Sequence, residues 1–305
     1  MPKWKFWSKM APLHWSEAER RGPPDPKTIK DLQEKAWILR RHIVCMVGPN
    51  ETGHFGGSCS CADLVAALYF HVLRLNPLRP KDPSRDRFLL SKGHAALAQY
   101  AALAERGFFP VEELQHLKRL GSRLQGHPDC LRTPGVEANT GSLGQGLSLA
   151  NGMAVAARLD GGRHKVWVLL GDGELNEGQV WEAAAFAAHR HLDNVVAIVD
   201  RNGLQAMGPT RERLNMDPLA AKWQAFGWQT DEIDGHDMRQ IVEALEGARA
   251  HTGSPYVLIA RTVKGKGLSF AENNPAFHNA KMTLEQMTKA LHDIDEALHH
   301  IRGES

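Results

Sequence analysis

Residues 165–205 read KVWVLLGDGELNEGQVWEAAAFAAHRHLDNVVAIVDRNGLQ and decide the fold. Two short apolar runs, residues 166–170 and 195–199, predict buried strands, and the segment between them, from about 178 to 191, predicts a helix. A strand, a helix and a second strand form a βαβ unit, which implies parallel strands and a right-handed crossover. Both strands end in polar residues, Asp172 after the first and Asp200 and Asn202 after the second.

The rest of the chain continues the alternation of helices and strands. Further strands are expected at 87–90, 228–233 and 256–263, and helices at 27–47, 111–120, 145–159, 178–191, 238–250 and 283–301. A capping box of Thr283 and Gln286 should begin the last helix. No internal repeat or linker divides the chain. The sequence therefore predicts the α/β class, a parallel sheet with helices on both faces, as one domain over 27–305 after an irregular extension, 1–26.

Three local features are also expected from the sequence. Residues 53–58, GHFGGS, should form a glycine-rich loop. Ser60 or Asp63 should then help to start the next helix. Asp217 should cap a helix whose first position is Pro218.

Composition limits the possible functions of the 305 residues. A net charge of +2 gives no reason to expect nucleic acid as a partner, and the apolar runs are far shorter than a bilayer span. The four cysteines form no CxxC pair and no disulfide ladder, so Cys59 and Cys61 are expected to be small residues near a helix start. Without a signal peptide, a reducing cytoplasm is the expected compartment.

The extreme N-terminus combines basic and aromatic side chains. Such a segment could touch a membrane surface or pack on the protein or a partner. Its short length and its two prolines, Pro2 and Pro12, favour packing on protein. The basic and aromatic residues are Lys3, Trp4, Lys5, Phe6, Trp7, Lys9 and Trp15.

The polar residues after the two central strands predict a cation site. Because ligands bind at the carboxyl ends of parallel strands, Asp172 and Asn202 are expected to meet at one edge of the sheet. A carboxylate, an amide oxygen and backbone carbonyls suit Mg²⁺, which can also hold a diphosphate. Gly173 would let backbone N–H groups approach the phosphates. Taken alone, a Gly-Asp-Gly sequence is equally compatible with an ordinary turn.

Four of the sixteen histidines stand in loops or beside glycine at element junctions. They are His54 in TGHFGG, His94 in SKGHA, His127 in QGHPD and His278 in the late loop. A neutral imidazole in such a place can give or take a proton near neutral pH. Taken singly, each one fits a structural role better than a functional one.

Together these segments resemble transketolases, enzymes that depend on thiamine diphosphate. The resemblance rests on GDG, a helix, an apolar strand and then Asn, together with the four histidine segments, and it covers about residues 35–280. Phe55 and Ser142 stand where the family commonly has proline. The resemblance implies a metal site of Asp172, Asn202 and the backbone carbonyl of Leu204, holding Mg²⁺ or alternatively Ca²⁺ or Mn²⁺.

The resemblance also implies a role for each histidine. His54 and His278 would lie beside the C2 and C3 oxygens of a ketose, where one of them assists removal of the C3 hydroxyl proton. His127 would bind the C1 hydroxyl of the donor, and His94 would lie near the diphosphate and the reaction centre. The exact role of His278 stays open.

Other residues are implied to bind the cofactor or to contribute to catalysis. The carbonyl of Gly141 would accept from the aminopyrimidine, and Leu143 would pack on the thiazolium. Glu177 would join a carboxylate network between subunits, with Glu182 as a possible member. The full cofactor-binding set is His94, Gly141, Ser142, Leu143, Gly171, Asp172, Gly173, Glu174, Asn202 and Leu204.

The implied activity is transfer of a two-carbon ketol unit from a ketose to an aldose. Transketolases need a second, pyrimidine-binding domain, which follows in the same chain, and the sequence after 280 offers room for one more helix only. An α2β2 heterotetramer with a separate C-terminal subunit is therefore expected. Two alternatives stay open, a subunit of another thiamine-diphosphate enzyme of the 2-oxo-acid decarboxylating type, and a non-catalytic assembly subunit.

Overall fold

The computed structural model describes residues 24–303. Its α-helices are α1 (Pro26–Val47), α2 (Phe55–Ser60), α3 (Ala62–Ala67), α4 (Ala96–Glu105), α5 (Gln145–Leu159), α6 (Gly178–His189), α7 (Thr210–Arg213), α8 (Leu219–Ala225), α9 (Met238–Ala250) and α10 (Leu284–Arg302). Its strands are β1 (Arg87–Leu90), β2 (Val166–Gly171), β3 (Val195–Arg201), β4 (Leu204–Gln205), β5 (Gly208–Pro209), β6 (Gln229–Asp234) and β7 (Tyr256–Arg261). Short 3₁₀ turns cover Gly93–Ala95, Val111–His116, Gly173–Asn176 and Pro275–Phe277. The basic aromatic segment and most of the predicted extension lie outside the described residues.

Five strands form one parallel sheet in the order β1-β2-β3-β7-β6. The register pairs Gly171 with Asp200, and Asp200 with Ala260. The carboxyl ends of β2, β3 and β7 therefore lie side by side at one edge. The predicted parallel sheet is confirmed, and the polar residues that follow β2 and β3 leave the sheet at neighbouring places.

Alternate strand residues face two separate cores. Trp167 and Leu169 of β2 pack with α1, α4, α9 and α10, whereas Val168 and Leu170 pack with α5, α6 and α8. A strand that is apolar on both faces needs helices on both sides, because successive side chains point in opposite directions. The prediction of helices on both faces is confirmed.

Several predicted boundaries agree with the structure. β1, α5 and α9 have the predicted limits. The capping box at α10 is present, because Thr283 Oγ1 accepts from the Gln286 N–H at 3.1 Å and Gln286 Oε1 accepts from the Thr283 N–H at 2.9 Å. At α1, the Asp25 carboxylate caps the first turn by accepting from the Thr28 N–H at 2.7 Å. No helix within residues 24–303 is long and apolar enough to cross a bilayer.

The glycine-rich segment was predicted wrongly as a loop. It forms α2, which begins at Phe55, directly after His54. Asp63 lies in the first turn of α3, as expected of a residue that helps to start it, but neither Ser60 nor Asp63 caps the helix with its side chain. The Ser60 hydroxyl donates to Asp200 Oδ2 at 2.5 Å, and the Asp63 carboxylate is paired with Arg40, so tertiary partners take the groups expected to cap.

Two other local predictions were also wrong. The expected helix over 111–120 is a 3₁₀ turn that ends at His116, since Leu117 is extended and the Lys118 N–H donates to the Leu124 carbonyl. Asp217 does not cap a helix. Its carboxylate accepts from Arg201 at 2.7 Å instead, and α8 begins at Leu219.

Candidate active site

The strand-end residues meet as the sequence indicates. Asp172 Oδ1 accepts from the Gly173 N–H at 2.9 Å, and Oδ2 accepts from the Gly203 N–H at 2.6 Å. Asn202 Oδ1 accepts from the Leu204 N–H at 3.1 Å. The turn after β3 is thereby held against Asp172. The Asp172 carboxylate, at the end of β2, is therefore in direct contact with the turn that carries Asn202 and Leu204.

Asp172 is buried, with only 7% of its surface exposed. Among the described residues, no cationic group lies within ion-pair distance of its carboxylate. Burial, together with the neighbouring Asp200 carboxylate, raises the pKa of Asp172 to about 6. A buried carboxylate is costly to ionise without a cation. A divalent ion would favour the ionised form, so the donor chemistry of Asp172 and Asn202 fits a hard cation.

Asp200 forms the centre of a buried network that sequence reasoning did not predict. Its carboxylate accepts from Lys92 Nζ, from the Ser60 and Thr262 hydroxyls, and from Asn202 Nδ2 at 3.2 Å. Burial alone would raise the pKa of Asp200, but Lys92 and these donors hold it below its ordinary value. Lys92 also donates to the Gly57 carbonyl at 2.8 Å. The network therefore joins β3, α2 and the segment after β1.

The four predicted histidines converge in space. The ring centroid of His54 lies 5.4 Å from that of His94, 5.9 Å from that of His127 and 5.2 Å from that of His278. The His94 and His278 centroids are 5.2 Å apart. These residues come from four separate segments of the chain. Their convergence is the feature that the sequence alone could only suggest.

All four imidazoles are held in the neutral form at pH 7. Burial and the neighbouring cationic and imidazole groups lower the pKa of His54 and of His278 to about 4, and that of His94 to about 2. The pKa of His127, the exposed member of the group, is lowered by partial burial and by Lys118. A neutral imidazole offers one donor and one acceptor nitrogen, which suits sugar hydroxyls.

Lys264 is a site residue that sequence reasoning missed. Its Nζ donates to the Leu204 carbonyl at 3.0 Å and lies 3.0 Å from His278 Nδ1, with the side chain 2% exposed. Burial and the charge of Lys92 lower the pKa of Lys264 to about 8. The described part of the chain places no carboxylate within ion-pair distance of this ammonium. A buried cation in that position fits an anionic ligand such as a diphosphate.

The Leu204 carbonyl thus accepts from Lys264, although the resemblance assigned it to the metal. The two roles are compatible, because a carbonyl oxygen has two lone pairs. The sequence signal for Lys264 was the KGKG run after β7, which adds a cation at the carboxyl end of a central strand.

Glycines allow the site segments to approach closely. A Cβ on Gly93 would lie 2.6 Å from backbone atoms of Thr140 and Gly141. Gly141 has φ +137°, and a Cβ there would lie 2.7 Å from His127 Cδ2. The loop that carries Gly141, Ser142 and Leu143 therefore packs against the histidine cluster. The loop thus lies beside His127 and the turn that carries Gly93. The role of its residues in binding the cofactor stays a prediction.

The two glutamates differ in their surroundings. The buried Glu174 accepts from the Gly144 N–H at 2.9 Å, the Gly171 N–H at 3.0 Å and the Ser91 hydroxyl, so protein donors engage both of its oxygens. Burial raises its pKa. It holds the glycine turns in place. Glu177 is exposed at the start of α6, where its Cβ would be 2.8 Å from a Cβ on Gly144.

The fold and the site define an α/β domain with buried charged groups and four clustered histidines at the carboxyl ends of its parallel strands. The sequence matches the family described as transketolase, thiamine diphosphate binding domain, over residues 33–294. The chain therefore belongs to the transketolase family, as the resemblance indicated, and the expectation of a transferase is confirmed with it.

Among curated relatives, the chain is similar to the 6-deoxy-6-sulfo-D-fructose transketolase subunit SqwG of Clostridium sp. (strain MSTE9). The two are 45% identical over 266 residues, which cover 87% of this chain and 97% of that protein. A subunit of the apulose-4-phosphate transketolase of Phocaeicola vulgatus is 40% identical, with 91% of this chain and 98% of that protein covered.

Among solved structures, transketolase from Campylobacter jejuni superposes with a TM-score of 0.82 at 32% identity. The match covers 88% of this chain and 45% of that one, so this chain spans less than half the length of that transketolase.

Proposed function

We propose that this chain is the diphosphate-binding subunit of a two-chain transketolase that transfers a two-carbon ketol unit from a ketose to an aldose. One observation carries the proposal. Four neutral imidazoles, of which four ring pairs have centroids 5.2–5.9 Å apart, lie beside the buried Lys264 ammonium. Neither this ammonium nor the buried Asp172 carboxylate has an oppositely charged group within ion-pair distance among the described residues. Such a site can bind a charged diphosphate and a polyhydroxylated substrate side by side.

In this proposal, Asp172, Asn202 and the Leu204 carbonyl hold a divalent metal, with Mg²⁺ preferred and Ca²⁺ or Mn²⁺ as alternatives. After its bonds to the Gly173 and Gly203 N–H groups, the Asp172 carboxylate has lone pairs to spare. Lys264 and the Gly173 backbone would face the diphosphate. His94, Gly141, Ser142, Leu143, Gly171 and Glu174 complete the cofactor set, Glu174 through the turns that it holds.

Thiamine diphosphate, when bound, supplies the acyl-anion equivalent that no amino-acid side chain can supply. The chain's own residues bind hydroxyls and move protons. His54 and His278 would lie beside the C2 and C3 oxygens of the donor, where one of them would accept and return the C3 hydroxyl proton. His127 would bind the C1 hydroxyl. The positive charge of Lys264 contributes to the low pKa of His278. Pairing of Lys264 with a diphosphate would offset that charge and raise the pKa of His278 toward 7.

A separate partner chain with a pyrimidine-binding domain completes the proposed enzyme. Relatives of similar length are named as transketolase subunits. We place the shared site at the subunit interface of a heterotetramer with two copies of each chain. The exposed Glu177, at the start of helix α6, would meet the partner chain there. The names of the same relatives specify a sulfo-sugar and a sugar phosphate, which supports a donor or acceptor with a terminal anionic group.

A reducing cytoplasm is proposed as the compartment. All four cysteines, Cys45, Cys59, Cys61 and Cys130, are free thiols in the structure. Free thiols are the usual state in a reducing compartment. Alkylation of the protein taken directly from its native cells should label the exposed Cys130, and its recovery as a mixed disulfide would oppose the assignment.

Titration calorimetry with thiamine diphosphate and Mg²⁺ tests the cofactor part of the proposal. The wild-type chain, alone or with its partner, should bind the pair only when both are present. Asp172→Asn, which keeps the side-chain shape, should weaken metal-dependent binding at least ~100-fold because a charged ligand is lost. Equal affinity of the variant and the wild type, or no binding by the assembled enzyme, would refute the proposed site.

A further inference from the structure

The loop after β7, residues 262–268, carries Lys264 into the site. Besides the bonds of Thr262 to Arg201 and Asp200, three hydrogen bonds tie its residues 263–266 to distant elements. The Val263 N–H donates to His236 Nε2 at 2.8 Å. The Gly265 N–H donates to the Gly56 carbonyl of α2 at 2.9 Å. Arg40 Nε donates to the Lys266 carbonyl at 3.1 Å. The residues directly before and after Lys264 are therefore held in place by His236, α2 and Arg40, and these bonds help to set the position of its side chain.

The hydrogen bonds of the His236 imidazole define its tautomer. Because Nε2 accepts from a backbone N–H, the neutral ring carries its proton on Nδ1. That nitrogen lies 2.8 Å from Asp63 Oδ2, so it donates to the carboxylate. The backbone N–H of His236 donates to Asp234 Oδ1 at 2.9 Å, which holds the turn from which the ring extends.

Asp63 and Arg40 complete the network behind His236. Arg40 is 1% exposed and donates to both oxygens of Asp63, at 3.2 and 2.5 Å. It also donates to the Cys59 carbonyl of α2 at 3.1 Å. Burial would raise the pKa of Asp63, but Arg40 and His236 bring it down to about 2, so the carboxylate stays charged. The network consequently joins α2, which begins beside His54, to the loop that carries Lys264.

We propose that His236 is a positioning residue of the site, which sets Lys264 through its bond from Val263 and ties the β7 loop to α2 through Asp63 and Arg40. The proposal rests on the proposed function in one respect, namely that Lys264 faces the diphosphate. His236 touches neither Lys264 nor any residue of the histidine cluster in the described contacts. Its influence on ligand binding must therefore pass through the backbone of the loop.

Two substitutions of His236 each retain one of the two hydrogen bonds that the imidazole makes. His236→Gln retains an acceptor oxygen long enough to reach the Val263 N–H. His236→Asn retains a donor near Asp63, at the position of Nδ1, but is too short to reach Val263. A role in general packing would make the two variants behave alike, whereas the positioning role makes the glutamine variant resemble the wild type.

Amide hydrogen exchange at Val263 tests the first step without any ligand. We expect exchange at least ~10-fold faster in His236→Asn than in the wild type, and within about threefold of the wild type in His236→Gln. Peptides of α5 and α6 serve as the internal control for global opening. Unchanged Val263 protection in the asparagine variant would overturn the proposal, as would equal loss in both variants.

A double-mutant cycle with Lys264→Met tests the second step, with thiamine diphosphate and saturating Mg²⁺ as the probe. His236→Asn should weaken binding about tenfold in the wild-type background, as expected when the support of a ligand-binding group is removed. In the Lys264→Met background the same change should have less than about a twofold effect. Additive effects would overturn the positioning role. Absence of any binding by the assembled wild-type enzyme would instead overturn the proposed function, and the exchange measurement would still decide the role of His236.

Discussion

Replacement of Lys92 by methionine should destabilise the folded chain by about 3–5 kcal/mol. Lys92 is 1% exposed and Asp200 is fully buried, and the two form a direct ion pair. The methionine retains the apolar stem but leaves the carboxylate with only neutral donors, from Ser60, Thr262 and Asn202. An unpaired buried charge carries its full desolvation cost, and the remaining hydrogen bonds offset it only in part.

The magnitude can be checked by urea denaturation of four chains: the wild type, Lys92→Met, Asp200→Asn and the double variant. Because the double variant has no buried charge, it should lose less than the sum of the single changes, with a coupling of about 2 kcal/mol. The pair should also make stability depend on pH. The pKa of Asp200 is lowered from its ordinary 3.8, so this stabilisation is present above pH 3.8 and is lost as the pH falls through the lowered folded value.

A loss below ~1 kcal/mol for Lys92→Met, or additive effects in the cycle, would refute the reasoning, because the charge of Asp200 would then be satisfied without Lys92. Equal m-values for the four chains serve as the control, because they show that the denatured states are comparable.

Three further predictions follow from the site. His127→Ala should raise the KM for the donor ketose in the assembled enzyme without changing the Kd for thiamine diphosphate, as measured by steady-state kinetics beside calorimetry; an unchanged KM would show that the imidazole is structural. Gly93→Ala places a Cβ 2.6 Å from the backbone of the facing loop and should cost about 1–3 kcal/mol by thermal unfolding, whereas the control Gly152→Ala, on the open face of α5, should not destabilise. In the chain without ligand, the imidazole resonances of His54 and His278 should titrate near pH 4 by NMR, and midpoints near 6.5 would show that burial and Lys264 do not act on them as described.

Much of the fold could be predicted because its signals are local. The apolar runs at 166–170 and 195–199 had to be buried on both faces, and they form the centre of the parallel sheet. The capping box of Thr283 and Gln286 lies within one turn of helix, so sequence spacing was sufficient to find it. The polar residues after β2 and β3 were bound to meet, because the two strands are neighbours in register.

The predictions that were wrong or missing concern side chains whose partners are distant along the chain. Ser60 and Asp63 have the chemistry of capping residues, but Asp200, Arg40 and His236 engage them instead. The SKGHA segment does not identify Lys92 as an ion-pair residue, because its partner, Asp200, lies 108 residues away. Tertiary hydrogen bonding and ion pairing override local propensity in these cases.

The same limit applies to Lys264. Its surroundings are the Leu204 carbonyl, 60 residues earlier, and His278. Nothing in the KGKG run distinguishes a buried ammonium from a solvated one. Only the three-dimensional arrangement shows that this cation is enclosed and lacks an anionic partner among the described residues.

The most direct measurement compares ketol transfer by this chain, by its candidate partner chain and by their mixture, with thiamine diphosphate and Mg²⁺ present. The donors should include ketoses that carry a terminal phosphate or sulfonate. The proposed two-chain transketolase predicts turnover by the mixture and none by either chain alone. Turnover by this chain alone at a rate that the mixture does not exceed would contradict the account, as would a mixture that binds the cofactor and transfers no ketol unit from any donor.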